Sequence, residues 1–274
     1  MMVDMLAFRQ RTRFAAFLAA LATLVMLSAC SSAGPSPQSG NDLVTESDEP
    51  EARTRARRHL TLAVLYFNDG KTTVALDALK QSIAADPNWS ESFNLRGLIY
   101  MRLNDASLAE DSFRKALQLD PKSAAVQHNY GRLLCKQSRL GEAVALFSNA
   151  LGNSAYQEKA KTWMVQGECQ SEAGQKDAAL NSFLRSYELD PVNPFTGYNI
   201  ALLLYQRGDY AQAQFYARRL NNGTNANAES FWLGLRVERK LGQKDAVDQL
   251  STQLRKRFPL AKETNLLDRG KFDD

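Results

Sequence analysis

A small residue recurs at a nearly constant interval through this chain, and that recurrence limits the possible folds more than any other feature. Ala63, Gly97, Gly131, Gly167 and Ala201 stand 34, 34, 36 and 34 residues apart, and Leu235 follows after another 34. A second column keeps step: Ala75, Ala109, Ala143, Ala179, Ala213 and Val247. A third, bulky column runs through Leu79, Phe113, Phe147 and Phe183 before weakening to Ala217 and Ser251. The stretch 90–123 is the most regular unit and reads as two short amphipathic helices. Phe93, Leu98, Tyr100, Phe113 and Leu117 supply bulk, and Gly97 and Ala109 mark where the two helices touch. Pro121 ends the second helix, because proline lacks the amide and disfavours helix at the residue before it. Pro87, Pro191 and Pro259 stand at the same place in other units, and Gly70, Asn104, Ser138, Gly174, Gly208 and Gly242 suit the mid-unit helix ends. A helix pair this short cannot bury its apolar faces alone and needs copies of itself on either side.

The pattern resembles the tetratricopeptide (TPR) repeat from Ala56 to about Leu260. Units fall near 56–89, 90–123, 124–157, 160–193, 194–227 and 228–261, in an array over 53–261. The resemblance implies an all-α superhelix of six helix-turn-helix repeats, twelve helices in all, with the first helix of each unit lining an inner groove. Residues 262–274 read as a C-terminal tail in which Leu266 and Leu267 dock on the last helix pair. Two departures stand out. The 36-residue step between Gly131 and Gly167 leaves a longer connection at 151–157, without a terminal proline. The sixth unit has lost its small-residue columns, as a capping unit does.

The N-terminal 29 residues have the layout of a targeting signal. Arg9, Arg11 and Arg13 precede an almost wholly apolar run over 14–27, about the length of a signal core and short for a membrane span. It ends in Leu27-Ser28-Ala29-Cys30, which resembles the lipobox of bacterial lipoproteins. That resemblance implies cleavage before Cys30, lipidation of Cys30 and, with Ser31 next, export to the outer membrane. An ordinary secretory signal or an uncleaved anchor is the plainer alternative. Residues 30–52 then form a flexible tether rich in Ser, Gly, Pro and acidic side chains, spanning about 25 Å.

Little here points to catalysis. The formal net charge of +4 is too small a bias for nucleic acid, which needs a concentrated basic patch. Two histidines and three cysteines offer no metal-ligand spacing. His59 lies in the run of Arg53, Arg55, Arg57 and Arg58, a solvated helix start. The glycines are repeat glycines, with no strand before a glycine-rich loop. No enzyme, cofactor or metal is therefore expected.

The groove is the expected working surface. By repeat phase its partner-binding residues are Leu60, Val64 and Phe67 in unit one, and Asn94 and Leu98 in unit two. Unit three adds His128, Asn129 and Arg132, with Lys136 one turn on, and unit five adds Tyr198, Asn199, Leu202 and Tyr205. Asparagines carry both a donor and an acceptor and can hold an extended peptide by its backbone. The plain alternative is packing between units. Cys135 and Cys169 lie on the first helices of units three and four. In an oxidising compartment they form a disulfide across the irregular joint if their Cα atoms come within about 7 Å. Otherwise they pack as two small apolar residues.

The whole chain resembles one family, the type IV pilus biogenesis TPR lipoproteins or pilotins called PilF or PilW. The matching features are the lipobox, the array with Asn129-Tyr130-Gly131 and Gly197-Tyr198-Asn199, the pair Cys135 and Cys169, and the closing run from Arg257-Phe258-Pro259 to Phe272. The resemblance implies a monomeric, lipid-anchored protein on the periplasmic face of the outer membrane. It would bind the secretin subunit and promote its localisation and multimerisation. The alternative is a TPR lipoprotein scaffold for outer-membrane protein insertion or cell-wall enzymes.

Overall fold

The computed structural model describes residues 50–272. The expected leader 1–29, the lipidation site Cys30 and the tether as far as residue 49 lie outside the described residues. Among the described residues there are thirteen helices and no strand. They form six consecutive antiparallel pairs: α1 (Glu51–Asn68) with α2 (Thr72–Ala85), α3 (Ser90–Arg102) with α4 (Ala106–Leu119), α5 (Ala124–Lys136) with α6 (Leu140–Gly152), α7 (Lys159–Glu172) with α8 (Lys176–Leu189), α9 (Pro194–Arg207) with α10 (Tyr210–Asn221), and α11 (Ala228–Lys240) with α12 (Lys244–Arg257). The first helix begins at Glu51, so two residues assigned to the tether are helical. Arg53 pairs with Asp86 at the end of α2 and ties this start down.

The turns inside the pairs follow one rule. Gly70, Asn104, Ser138, Gly174, Gly208 and Gly242 all have positive φ, between 59° and 88°. A left-handed residue here closes the last helical turn and reverses the chain. Between pairs, Asp86, Asp120 and Asp190 are the C-terminal caps of α2, α4 and α8. Their carboxylates accept from the amides of Asn88, Lys122 and Val192. The recurring Asp-Pro is thus helix-end chemistry.

The core is built on volume matching within each pair. A Cβ placed on Gly97, Gly131 or Gly167 would lie 2.5, 2.6 or 2.9 Å from the ring of Phe113, Phe147 or Phe183, respectively. The three rings are fully buried. Sixteen residues separate glycine from ring each time, and the same register holds Ala63 with Leu79, Ala201 with Ala217 and Leu235 with Ser251, all buried. As the first member grows, the second shrinks. The sixth unit has therefore kept the spacing with the sizes reversed, the large Leu235 on its first helix and the small Ser251 on its second, both buried.

The expected tail over 262–274 contains a thirteenth helix, α13 (Lys262–Asp268). Leu267 is buried and Leu266 half-buried against Phe231, Trp232 and Leu254. The Phe272 ring stacks on Trp232 with centroids 5.3 Å apart. This segment covers apolar surface that a seventh pair would otherwise cover.

Candidate functional site

A groove of about 740 Å³ opens along the first helices of units one to four. Phe67 on α1, Leu98, Met101 and Arg102 on α3, and Ala125, His128, Asn129, Arg132 and Lys136 on α5 line it. The spacings 98, 101, 102 and 125, 128, 129, 132, 136 each trace one helical face. The fourth wall is the long connection: Tyr156, Gln157 and Glu158, followed by Lys161 on α7. The lengthened joint, with the start of α7, supplies the polar wall of the site.

The side chains are held in a defined network. Asn129 Nδ2 donates to Asn94 Oδ1 at 3.0 Å, joining α5 to α3. His128 Nδ1 lies 2.8 Å from Thr162 Oγ1, and the Tyr156 hydroxyl lies 2.9 Å from the same oxygen. The Arg102 guanidinium stacks 3.7 Å over the Phe67 ring and donates to the Phe67 carbonyl. Lys161 pairs with Glu158 at 2.9 Å. Beside the groove, Cys135 and Cys169 are bonded to each other, with Cα atoms 5.7 Å apart. The bond joins α5 to α7 across the long connection.

Charge in the groove is unbalanced. Its lining carries Arg102, Arg132, Lys136 and Lys161 against the single carboxylate Glu158, already paired with Lys161. His128 is 2% exposed, and its Nε2 is buried without a partner. Burial, with Arg132 and Lys161 close by, lowers its pKa to about 4, so it is neutral near pH 7. Burial and Glu172 raise Glu168, although Arg132 and Lys136 pull the other way. Among the described residues no group of three His, Cys, Asp or Glu side chains is placed to hold a metal ion.

The structure divides the residues expected by repeat phase. Phe67, Leu98, His128, Asn129 and Arg132 share the main groove, and Asn94 adjoins it through Asn129. His128 is not an open contact residue, because Thr162 and Phe147 enclose it. Leu60 and Val64 line a separate depression of about 450 Å³ with Arg53, Arg57, Leu65 and Trp89. Tyr205 lies elsewhere, with Arg236 stacked 4.9 Å over its ring. Tyr198 and Leu202 are half-buried against the core of units four to six. Asn199 donates to the Phe195 carbonyl of its own helix at 2.8 Å. None of the unit-five set lines the main groove; Tyr198, Leu202 and Tyr205 share one face of α9 and are half-buried on the core of units four to six. Arg102, Met101, Tyr156, Gln157, Glu158 and Lys161 were missed. The 36-residue spacing was the signal for the connection residues, and it read only as a longer loop.

Comparison with known proteins agrees with this architecture. The family described as "Tetratricopeptide repeat" matches residues 60–124 and 129–194. The type IV pilus assembly protein PilF of Pseudomonas aeruginosa is 27% identical over 219 residues, covering 80% of this chain and 86% of PilF. The structure from the functional characterization of Pseudomonas aeruginosa PilF superposes with a TM-score of 0.72 at 24% identity, over 81% of this chain and all of that one. PilW, described as a widely conserved type IV pilus biogenesis factor, superposes with a TM-score of 0.67 at 26% identity, over 77% of this chain and 97% of that one. Helix pairs stacked at a 34-residue period, with a groove along their first helices, define a TPR protein. Its similarity to PilF and PilW extends over most of all three chains. The chain is a TPR protein similar to the type IV pilus proteins PilF and PilW.

Proposed function

We propose that this chain is an outer-membrane lipoprotein that binds the secretin subunit in the periplasm and promotes its localisation and multimerisation for type IV pilus biogenesis. The observation that carries the reading is an open groove on an array similar to PilF over nearly that protein's full length. The role is binding, not catalysis. Lipid on Cys30 supplies location, and the first-helix surfaces supply recognition. Two or more acyl chains give stable anchoring, since each buried methylene contributes about 0.8 kcal/mol. Leu60, Val64 and the exposed Leu65 give unit one an apolar surface, and the main groove offers polar and apolar contacts side by side.

Cys30→Ala tests the reading in cells. The array should fold as before, while secretin is mislocalised and its rings decrease in outer-membrane fractions. Normal ring assembly in the outer membrane would remove the anchoring role. Crosslinking in envelope fractions should capture secretin through the array. Capture of a different envelope complex, without secretin, would sink the pilus role itself.

A further inference from the structure

The groove has the chemistry for one kind of segment. Arg132 and Lys136 line it, are one turn apart on α5, and form no ion pair with another described residue. Arg102 is the third cation, held in place by its stack on Phe67. The only lining carboxylate, Glu158, is engaged by Lys161. Three cations facing a shared space without matching anions repel one another, and an anionic partner relieves this. Glu168 lies within electrostatic range of Arg132 and Lys136 but makes no contact ion pair with either.

Two further observations favour a peptide over other anions. The bond between Asn129 and Asn94 uses one amide donor and one amide oxygen. It leaves the Asn94 amide NH₂ to donate and the Asn129 amide oxygen to accept, the two functions that the C=O and N–H of a peptide backbone require. Phe67, Leu98 and Met101 give the same groove an apolar strip. A nucleic-acid strand would ask for more cations and for exposed aromatic platforms.

Resting on the partner-binding reading above, we infer that the groove of units one to four binds an extended acidic segment of its protein partner. Carboxylates sit on Arg132 and Lys136, the backbone on the Asn94–Asn129 pair, and an apolar side chain against Phe67, Leu98 and Met101. Binding at this groove is distinct from contact with the apolar depression of Leu60 and Val64.

The test uses the purified full chain in detergent and fluorescent peptides of about twelve residues, read by anisotropy. One peptide repeats Glu-Asn-Leu, a second Gln-Asn-Leu, a third Lys-Asn-Leu, and a single-stranded oligonucleotide is the fourth probe. The Glu peptide should bind at least about tenfold more tightly than the Gln peptide at low salt, and the gap should narrow as salt shortens the screening length. Arg132→Gln with Lys136→Gln should abolish the preference while circular dichroism stays unchanged. Lys136→Gln alone, at an exposed position, should reduce it several-fold and guards against misfolding of the double variant. Arg132→Glu with Lys136→Glu should shift the preference to the Lys peptide. Equal binding of the Glu and Gln peptides, binding of neither, tighter binding of the oligonucleotide, or an unchanged preference in the double variant would overturn the inference. Secretin capture by the same variants separates the two ideas. Capture without an acidic preference leaves the pilus role standing and removes only the acidic segment. An acidic preference without secretin capture does the reverse.

Discussion

Replacing Gly97 with alanine tests the volume-matching rule at its tightest point. The new Cβ would lie 2.5, 2.7 and 2.7 Å from Cε1, Cδ1 and Cζ of Phe113, so the ring must retreat by about 1 Å to reach ordinary contact. It has little room, because it is fully buried and stacked on Tyr130 at 5.9 Å. Overpacking of this kind costs about 1–3 kcal/mol. Helix propensity acts the other way and returns about 1 kcal/mol on replacing glycine with alanine. The expected net loss is about 1 kcal/mol. Phe113→Leu alone loses buried carbon and leaves a small void, about 1–2 kcal/mol. The double variant recreates the Ala63–Leu79 pair of unit one, so its loss should be smaller than the sum by about 1 kcal/mol. Urea unfolding followed by helical circular dichroism gives the cycle. Hydrogen exchange in α3 and α4 reads the same change locally, since array stability is a sum of unit and interface contributions. Additive losses, or stabilisation by Gly97→Ala alone, would refute the reasoning.

His128 and the cysteine pair give two further predictions. His128 is held neutral, with a folded pKa of about 4 against an ordinary 6.5. The unfolded chain therefore takes up a proton that the folded chain resists. Stability is unaffected by this group above pH 6.5 and falls between about pH 6.5 and 4, by roughly 3 kcal/mol in total. Nuclear magnetic resonance should show His128 uncharged at pH 5.5, and titration near 6.5 would contradict the burial argument. Replacing Cys135 and Cys169 with serine removes a cross-link that closes a 34-residue separation, and should lower stability by about 3–4 kcal/mol by the chain-entropy relation. A urea midpoint indifferent to reductant in the unmutated chain would show that the bond contributes nothing.

The array was legible because its signal is periodic. Units one to four repeat the same small-to-bulky register, units five and six keep its sixteen-residue spacing, and that agreement leaves little freedom in where helices start, turn and touch. Much of the main groove was legible for the same reason: Phe67, Leu98, Asn129 and Arg132 occupy equivalent first-helix faces. The misses have physical causes. Repeat phase says which way a side chain points but not how closely the next unit covers it. Tyr198 and Leu202 point as expected, yet neighbouring helices half-bury them. His128 points into the groove but is closed in by Thr162, which belongs to the next unit. Arg102 was passed over because nothing local in the sequence ties a guanidinium to Phe67, 35 residues earlier.

By itself the sequence determined the helix pairs, their number and the registers at which they pack. These depend on local propensity, proline and left-handed turns, and a volume match between residues sixteen apart. Tertiary structure alone decided which first-helix side chains remain open. It also decided that the longer joint after unit three turns Tyr156, Gln157 and Glu158 into a wall of the groove. Those outcomes depend on the small rotation between successive units, set by side chains from three or four helices at once. No interval along the chain encodes that sum.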